Sequence, residues 1–375
     1  MFVYYDESIL KYVSSIRKYY GLKSSFDSDN AFDSLLNEKN PKKIFLILID
    51  GMGANLIERK LDKNTFLRKN MLYKTTTVFP STTTAATTSI RNGKAPNENA
   101  WLAWVEYINE VQDHVVPFYG TGFYSENEYD DIVRKVIPVT TTEKELNNIG
   151  IKADILFPEW SKEGYTYSTI EEFRNKLIDL SINSDEKYLY AYMDYYDSLM
   201  HKLGPDHEEA DKLLKEINST LEDVSNNISD DTMMVIVADH GQVKEEKRFY
   251  YKGSKYEKYF YRKPCLEFRA SGLYIKEEYR DEFEKEFLNE FENDVVLMDK
   301  SDILLSKLFG PLENHPKFEE LLPDYLVISK TNISFYYEQL EKVMNGQHAG
   351  IRDDEMFVPV IVYQKWKEEK EKIKA

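Results

Sequence analysis

Ile44-Phe45-Leu46-Ile47-Leu48-Ile49 runs without a polar break and stops at Asp50-Gly51. Six apolar residues in a row, with no alternation, suit a strand covered on both faces, as in a parallel sheet sandwiched between helices. Two later runs have the same form. Tyr188 to Met193 (YLYAYM) leads into Asp194 and Asp197, and Met233 to Ala238 (MMVIVA) leads into Asp239-His240-Gly241. Helical spacing over Thr169–Leu180 and Glu208–Ile228 separates them, giving the order strand, helix, strand, helix. The pattern predicts an α/β fold with a doubly wound, mostly parallel central sheet. Ligands in such sheets gather beyond the carboxyl ends of the strands, and here three strands end at an acid, which predicts one common site.

Outward from these runs, residues 1 to about 40 mix short helical patterns with polar loops and carry no legible chemistry. After Gly241 comes a basic, tyrosine-rich stretch. Leu266–Ile275 (LEFRASGLYI) then reads as a strand, Glu277–Phe291 as an amphipathic helix, Val295–Met298 as a strand, Ser301–Leu308 as a helix and Asp324–Ser329 as a strand. The expected division is a core of residues 1–244 and 341–375 carrying an inserted smaller α/β lobe, 245–340, as a lid or substrate wall. Phe249, Tyr250, Tyr251, Tyr256, Tyr259, Phe260 and Tyr261 read as packing of that lobe onto the core in preference to a base-stacking surface. Phe357–Tyr363 (FVPVIVY) reads as a last core strand, followed by a Lys/Glu-rich tail in solvated helix.

The 375 residues include 49 Lys+Arg against 66 Asp+Glu, a net charge of −17. That balance disfavours a nucleic-acid polymer or an anionic membrane as partner and suits a protein that holds cations. Cys265 is the single cysteine, so no internal disulfide can form. The start, MFVYYDESILKYVSS, has acids where a secretory signal has a basic head, and no run of eighteen apolar residues occurs, so the expected location is cytoplasmic.

Asp197-Ser-Leu-Met-His201 sets a carboxylate and an imidazole four apart, on one face of a helix, where both can reach one metal. Asp239-His240 can converge only where the strand has ended and the backbone bends, and Gly241 permits the bend. Asp50-Gly51-Met52-Gly53 repeats the form at the first strand end. Taken singly, these are also an ordinary surface pair, a strand-end turn and an Asx turn. Of six histidines, His201, His240 and His348 fall at strand ends or between glycines. With Asp50, Asp197 and Asp239 they make three acids and three imidazoles, enough for two transition-type cations. Pro80 to Gly93 (PSTTTAATTSIRNG) opens a helical stretch with a hydroxyl cluster, which can cap the helix or supply a metal-activated alkoxide beside free N–H groups.

In this order and spacing, Asp50-Gly51, Pro80 to Gly93, Asp197 to His201 with Gly204-Pro205, Asp239-His240-Gly241 and Gly346 to Gly350 resemble the motifs of the alkaline phosphatase superfamily, within it the type I phosphodiesterase/nucleotide pyrophosphatase group. The end, Asp353 to Pro359, and Phe309-Gly310-Pro311 with His315-Pro316 look like bacterial cytosolic members. The resemblance implies Thr83 as nucleophile, with Thr82 and Thr84 as fallbacks, passing through a covalent phosphoryl-threonine. It implies two divalent ions, zinc first and manganese second. One is held by Asp197, His201 and His348, the other by Asp50, Thr83, Asp239 and His240. The family's P-N-H reads Ala85-Ala86-Thr87 here. The asparagine that the resemblance sets beside a non-bridging phosphate oxygen is thus missing at Ala86, and Arg91, Asn92 and Arg352 are the residues that can substitute.

The expected function is hydrolysis of a small phosphate ester or nucleotide as a phosphodiesterase/nucleotide pyrophosphatase. The alternatives are a phosphomonoesterase or phosphomutase-like phosphoryl transfer on the same core, and a metal-binding protein without turnover.

Overall fold

A computed structural model describes residues 4–129, 132–161 and 163–365. The Lys/Glu-rich tail lies outside these residues. Strands β1 (Lys43–Ile49), β2 (Met71–Thr76), β3 (Ala153–Pro158), β4 (Tyr165–Tyr167), β5 (Tyr188–Met193), β6 (Thr232–Val237) and, after an insert, β11 (Phe357–Tyr363) form one sheet in the order β2-β11-β6-β1-β5-β3-β4. β1 pairs parallel with both β5 and β6, and only β11 runs antiparallel to its neighbours. Every residue of β1, β5 and β6 is buried, as their unbroken apolar runs require. Burying each large apolar side chain of β1 contributes about 1.5–3 kcal/mol, and the apolar run ends at Asp50, which is buried too and needs polar or charged partners there. The register aligns Ile49 with Met193 and Leu48 with Val237, so three neighbouring strands deliver their acids to one edge of the sheet.

Among the helices that pack apolar side chains toward this sheet or stand at its ligand edge are α1 (Ile9–Tyr19), α2 (Thr83–Asn92), α3 (Ile170–Asn183), α4 (Tyr195–Leu203) and α5 (Glu208–Asn227). α3 and α5 are the two helices read from the sequence as separating the core strands, and they pack on each other.

Residues 245–340 contain a four-stranded antiparallel sheet: β7 (Phe260–Leu266), β8 (Ala270–Ile275), β9 (Val295–Asp299) and β10 (Tyr325–Ser329), in the order β7-β8-β10-β9. Its strands alternate as a two-faced sheet must. Leu273, Ile275 and Val327 face a cluster with Tyr251, Tyr256, Tyr259, Phe283, Phe287 and Phe335. Phe249, Tyr251, Tyr256, Tyr259 and Phe260 therefore pack inside the insert, not onto the central sheet, while Tyr250 and Tyr261 are exposed. Ala270, Tyr274, Leu326 and Ile328 face a second cluster that recruits Trp101, Leu102, Tyr107 and Ile137 from before the insert. The sequence reading of 266–275 as one strand needs correction. Leu266 adopts φ +66°, β7 ends there, and Glu267-Phe268-Arg269 forms the turn of a hairpin.

The chain leaves the core at Val243–Lys244 and returns at Gly346–Gln347, and the two passages pair antiparallel. This short ladder sets His348 beside the end of β6.

Candidate active site and its metal-ligand clusters

Asp50 ends β1. Its N–H bonds to Met193 O at 2.8 Å, and Gly51, at φ +70°, turns the chain so that its own N–H reaches Asp239 Oδ1 at 3.1 Å. Gly241 serves differently from the expected bend. It is not in the left-handed region, but a Cβ there would lie 2.0 Å from Asp354 O, so glycine is needed for close packing. Asp197 and His201 lie one turn apart on α4, with His201 Nε2 3.2 Å from Asp197 Oδ2.

Thr83 is the first residue of α2. Its Oγ1 lies 3.4 Å from Asp50 Oδ2 and 3.2 Å from His240 Nε2. The fallbacks point elsewhere: Thr82 Oγ1 donates to Glu267 Oε1 at 2.6 Å, and Thr84 Oγ1 is buried with no hydrogen-bond partner among the described residues. Since the N-cap hydroxyl of Thr82 is engaged with Glu267, it does not cap α2, and the helix's first N–H groups are left to another acceptor.

The three imidazoles are fixed alike. Nδ1 of His201 faces Gly346 O at 2.9 Å, that of His240 faces Gly241 O at 3.0 Å, and that of His348 faces Ser81 O at 3.1 Å. A carbonyl can only accept, so each Nδ1 carries a proton and each Nε2 presents a lone pair when the ring is neutral, the arrangement that orients histidine ligands. Asp50 Oδ1 and Asp239 Oδ2 are buried with no hydrogen-bond partner among the described residues, and His240 Nε2 lies 3.3 and 3.5 Å from them. Ligand atoms of Asp50, Asp239 and His240 lie within 4.8 Å of one another, as do those of Asp197, His240 and His348. Orphaned carboxylate oxygens and aimed imidazole lone pairs are a donor set that fits divalent cations. The second cluster contains His240 where the sequence reading has His201.

Burial, then the Asp239 and Asp197 charges, push the Asp50 carboxyl well above the usual range, although Tyr192 O–H donates to its Oδ2. Burial also raises Asp239. Burial opposes ionisation of Asp197 too, but His201, His348 and His240 together outweigh it and hold that carboxyl well below its ordinary range, while burial presses His201 down and Asp197 more than makes up for it, leaving His201 raised. Burial and the charge of His240 press His348 well below. Three carboxylates crowded in a dry volume cannot all ionise cheaply without positive charge among them.

Asp50, Thr83, Asp197, His201 and His348 open on a cavity of about 200 Å³, lined also by Trp104, Phe118, Tyr119, Trp160, Asp194 and Glu267. The aromatic rings form a wall: Phe118 to Trp104 6.0 Å, Phe118 to Trp160 5.7 Å, Trp104 to Tyr119 5.5 Å between centroids. Neither this wall nor Glu267 was legible in the sequence; no spacing links them, and the strand assigned over 266–275 concealed the turn. Glu267 is 8% exposed, and burial pushes its carboxyl up to about 7 against the bonds from Thr82 and Trp104 N.

The three residues read as stand-ins for the family asparagine do not line this cavity. Arg91 pairs with Glu143, lies over the Phe157 and Tyr190 rings and faces an adjoining cavity of about 370 Å³. Asn92 Oδ1 accepts from Lys94 N, and Arg352 donates to Asn332. Ala86 is buried in an apolar cluster with Tyr5, Leu10 and Phe26 and does not line the cavity.

The sequence model of the type I phosphodiesterase / nucleotide pyrophosphatase family matches residues 44–350. The chain belongs to this family. It is therefore a phosphoric ester hydrolase of the alkaline phosphatase superfamily. No curated protein matches this chain. Among solved structures, it resembles murine ectonucleotide pyrophosphatase/phosphodiesterase 5, in an inactive form with AMP, at TM-score 0.68 and 11% identity, over 86% of this chain and 88% of that one. The human counterpart gives 0.66 and 14% over the same shares. Phosphonoacetate hydrolase from Sinorhizobium meliloti 1021 with phosphonoformate gives 0.63 and 13%, over 88% of this chain and 91% of that one. At such identities the likeness is one of fold, and it is the family's fold. Among the described residues no helix is long and apolar enough to cross a membrane.

Proposed function

We propose that this family member is a two-metal phosphodiesterase/nucleotide pyrophosphatase that uses Thr83 as its nucleophile. The observation that carries the reading is the Thr83 hydroxyl lying 3.2–3.4 Å from His240 Nε2 and Asp50 Oδ2, at the meeting of the two ligand clusters. Asp50, Asp239, His240 and Thr83 would hold one ion, and Asp197, His201 and His348 the other. Divalent ions bound there would lower the hydroxyl pKa and neutralise charge on the transferred phosphoryl group. Zinc is the first to test and manganese the second.

Thr83 Oγ1, its proton passed to Asp50 Oδ2, attacks phosphorus and forms a phosphoryl-threonine as the P–O bond to the leaving alkoxide breaks, the alkoxide taking a proton from water; a second water then breaks the Thr83 O–P bond and returns a proton to Thr83. Free N–H groups at the start of α2 hold equatorial oxygens. The aromatic wall of Trp104, Phe118, Tyr119 and Trp160 supports a nucleotide or another ester with a flat leaving group, and the AMP bound by the murine neighbour supports the same class.

The test compares bis-p-nitrophenyl phosphate, p-nitrophenyl phosphate and a dinucleotide with Zn²⁺ or Mn²⁺. Thr83→Ala should lose at least about 10³-fold in kcat while binding its metals. Full turnover by that variant would refute the nucleophile, and phosphoryl transfer without release of free phosphate from a sugar phosphate would favour a mutase.

A further inference from the structure

The chemistry proposed for Thr83 leaves one buried acid on the cavity wall unused. Glu267 stands in the hairpin turn between β7 and β8, and two chain segments fix it there. Val105 and Leu266 exchange backbone hydrogen bonds of 3.2 and 2.7 Å, which sets Trp104 beside Glu267. Glu267 Oε1 then accepts both Trp104 N–H at 2.7 Å and Thr82 Oγ1–H at 2.6 Å. One carboxylate oxygen is thus saturated by a residue adjacent to the nucleophile. The side chain also lies close enough to His201 and Asp197 for their charges to act on it, and it lines the same cavity as Thr83 and His348.

We propose that Glu267 is a specificity-determining residue that disfavours a phosphoryl group carrying two negative charges, and so directs this chain to diesters over monoesters. This rests on the reading of the cavity as the phosphoryl site. The physical basis is charge balance in a volume that excludes water. Before Thr83 gives up its proton, two divalent ions over the ligands Asp50, Asp197 and Asp239 would leave one unit of positive charge on that set, which would draw a dianionic monoester more strongly than a monoanionic diester; Asp194, which also lines the cavity, is engaged by Trp160 Nε1, whereas Glu267 is held beside the nucleophile's neighbour Thr82. A fourth carboxylate cancels that excess. Fixed by two donors, Glu267 cannot swing away when substrate arrives, so the repulsion is built into the site. A purely structural Glu267, bracing the Trp104 loop, would affect both ester classes alike.

The experiment uses the protein reconstituted with Zn²⁺, as wild type, Glu267→Gln and Glu267→Asp. Gln retains a carbonyl oxygen for Thr82 and Trp104 and removes the charge, whereas Asp retains the charge. Inorganic phosphate and dimethyl phosphate are titrated at pH 8 by calorimetry, and kcat/KM is measured for p-nitrophenyl phosphate and bis-p-nitrophenyl phosphate. Glu267→Gln should tighten phosphate about tenfold relative to dimethyl phosphate and raise the monoester-to-diester ratio of kcat/KM about tenfold, with Glu267→Asp within about twofold of wild type. Should the amide variant fail to fold, Glu267→Met fills the space without charge and carries the same expectation. Equal changes for both probes, or none, would overturn the proposal and leave the phosphodiesterase reading standing. Wild type that neither binds phosphate nor turns over either ester would overturn both.

Discussion

His240 and His348 stack with ring centroids 3.8 Å apart and planes 19° apart, although the whole insert separates them in the chain. The contact depends on the Val243–Lys244 and Gly346–Gln347 ladder, and it brings both Nε2 lone pairs into one ligand group with Asp197.

That geometry predicts metal stoichiometry. His348→Ala should lower bound Zn²⁺ from two ions to one by atomic absorption, and Asp197→Ala should do the same. Retention of both ions in either variant would break the assignment. His201→Ala tests the shared position of His240: if His240 serves the second ion, as the ligand distances allow, that ion should bind more weakly without being lost.

Trp160, in the aromatic wall, is 41% exposed, and its Nε1 donates to Asp194 Oδ2 at 3.1 Å, so the ring is both held and open to a ligand. Stacking of one base on such a ring is worth about 1–3 kcal/mol. Trp160→Ala should therefore raise KM for a dinucleotide roughly tenfold, leave kcat nearly unchanged and barely alter KM for a dialkyl phosphate, which has no ring to stack. An equal effect on both substrates would remove the wall from substrate recognition.

Glu106 gives a pH prediction independent of the metals. Burial pushes its carboxyl up to about 8, although Leu102 N–H and Ala103 N–H donate to one of its oxygens. A group raised on folding gives its full stability below its unfolded value and loses it as pH rises through the folded one. Stability should thus decline between about pH 4.5 and 8, by at most about 1.4 kcal/mol per pH unit. Thermal melts of Glu106→Gln should show a flatter profile across that window; an unchanged slope would assign the decline to other groups.

Arg269 and Glu355 form an ion pair with neither side chain exposed, at 2.7 Å, and Glu355 Oε1 also accepts Gly350 N–H at 2.8 Å. The pair ties the turn that carries Glu267 to the loop that carries His348. Arg269→Met leaves a buried carboxylate unpaired and should cost about 3–5 kcal/mol in chemical denaturation, whereas the double change Arg269→Met with Glu355→Leu should recover much of it.

The central sheet and the acids at its edge were legible because both are written locally. A parallel strand buried on both faces must be apolar throughout, so Ile44–Ile49, Tyr188–Met193 and Met233–Val237 stand out, and the acid that ends each marks the sheet's active edge. Asp197 and His201 follow from the helical repeat alone. Sequence could not say which way a side chain at 86 faces, because α2 is oriented by packing against Tyr5 and Leu10, nor that Arg91 is engaged by Glu143. The aromatic wall and Glu267 depend on contacts between segments far apart in the chain, Val105 with Leu266 and Thr82 with Glu267. Periodicity and spacing encode what neighbours along the backbone must do; which distant groups share a dry cavity is decided only when the chain has closed around it.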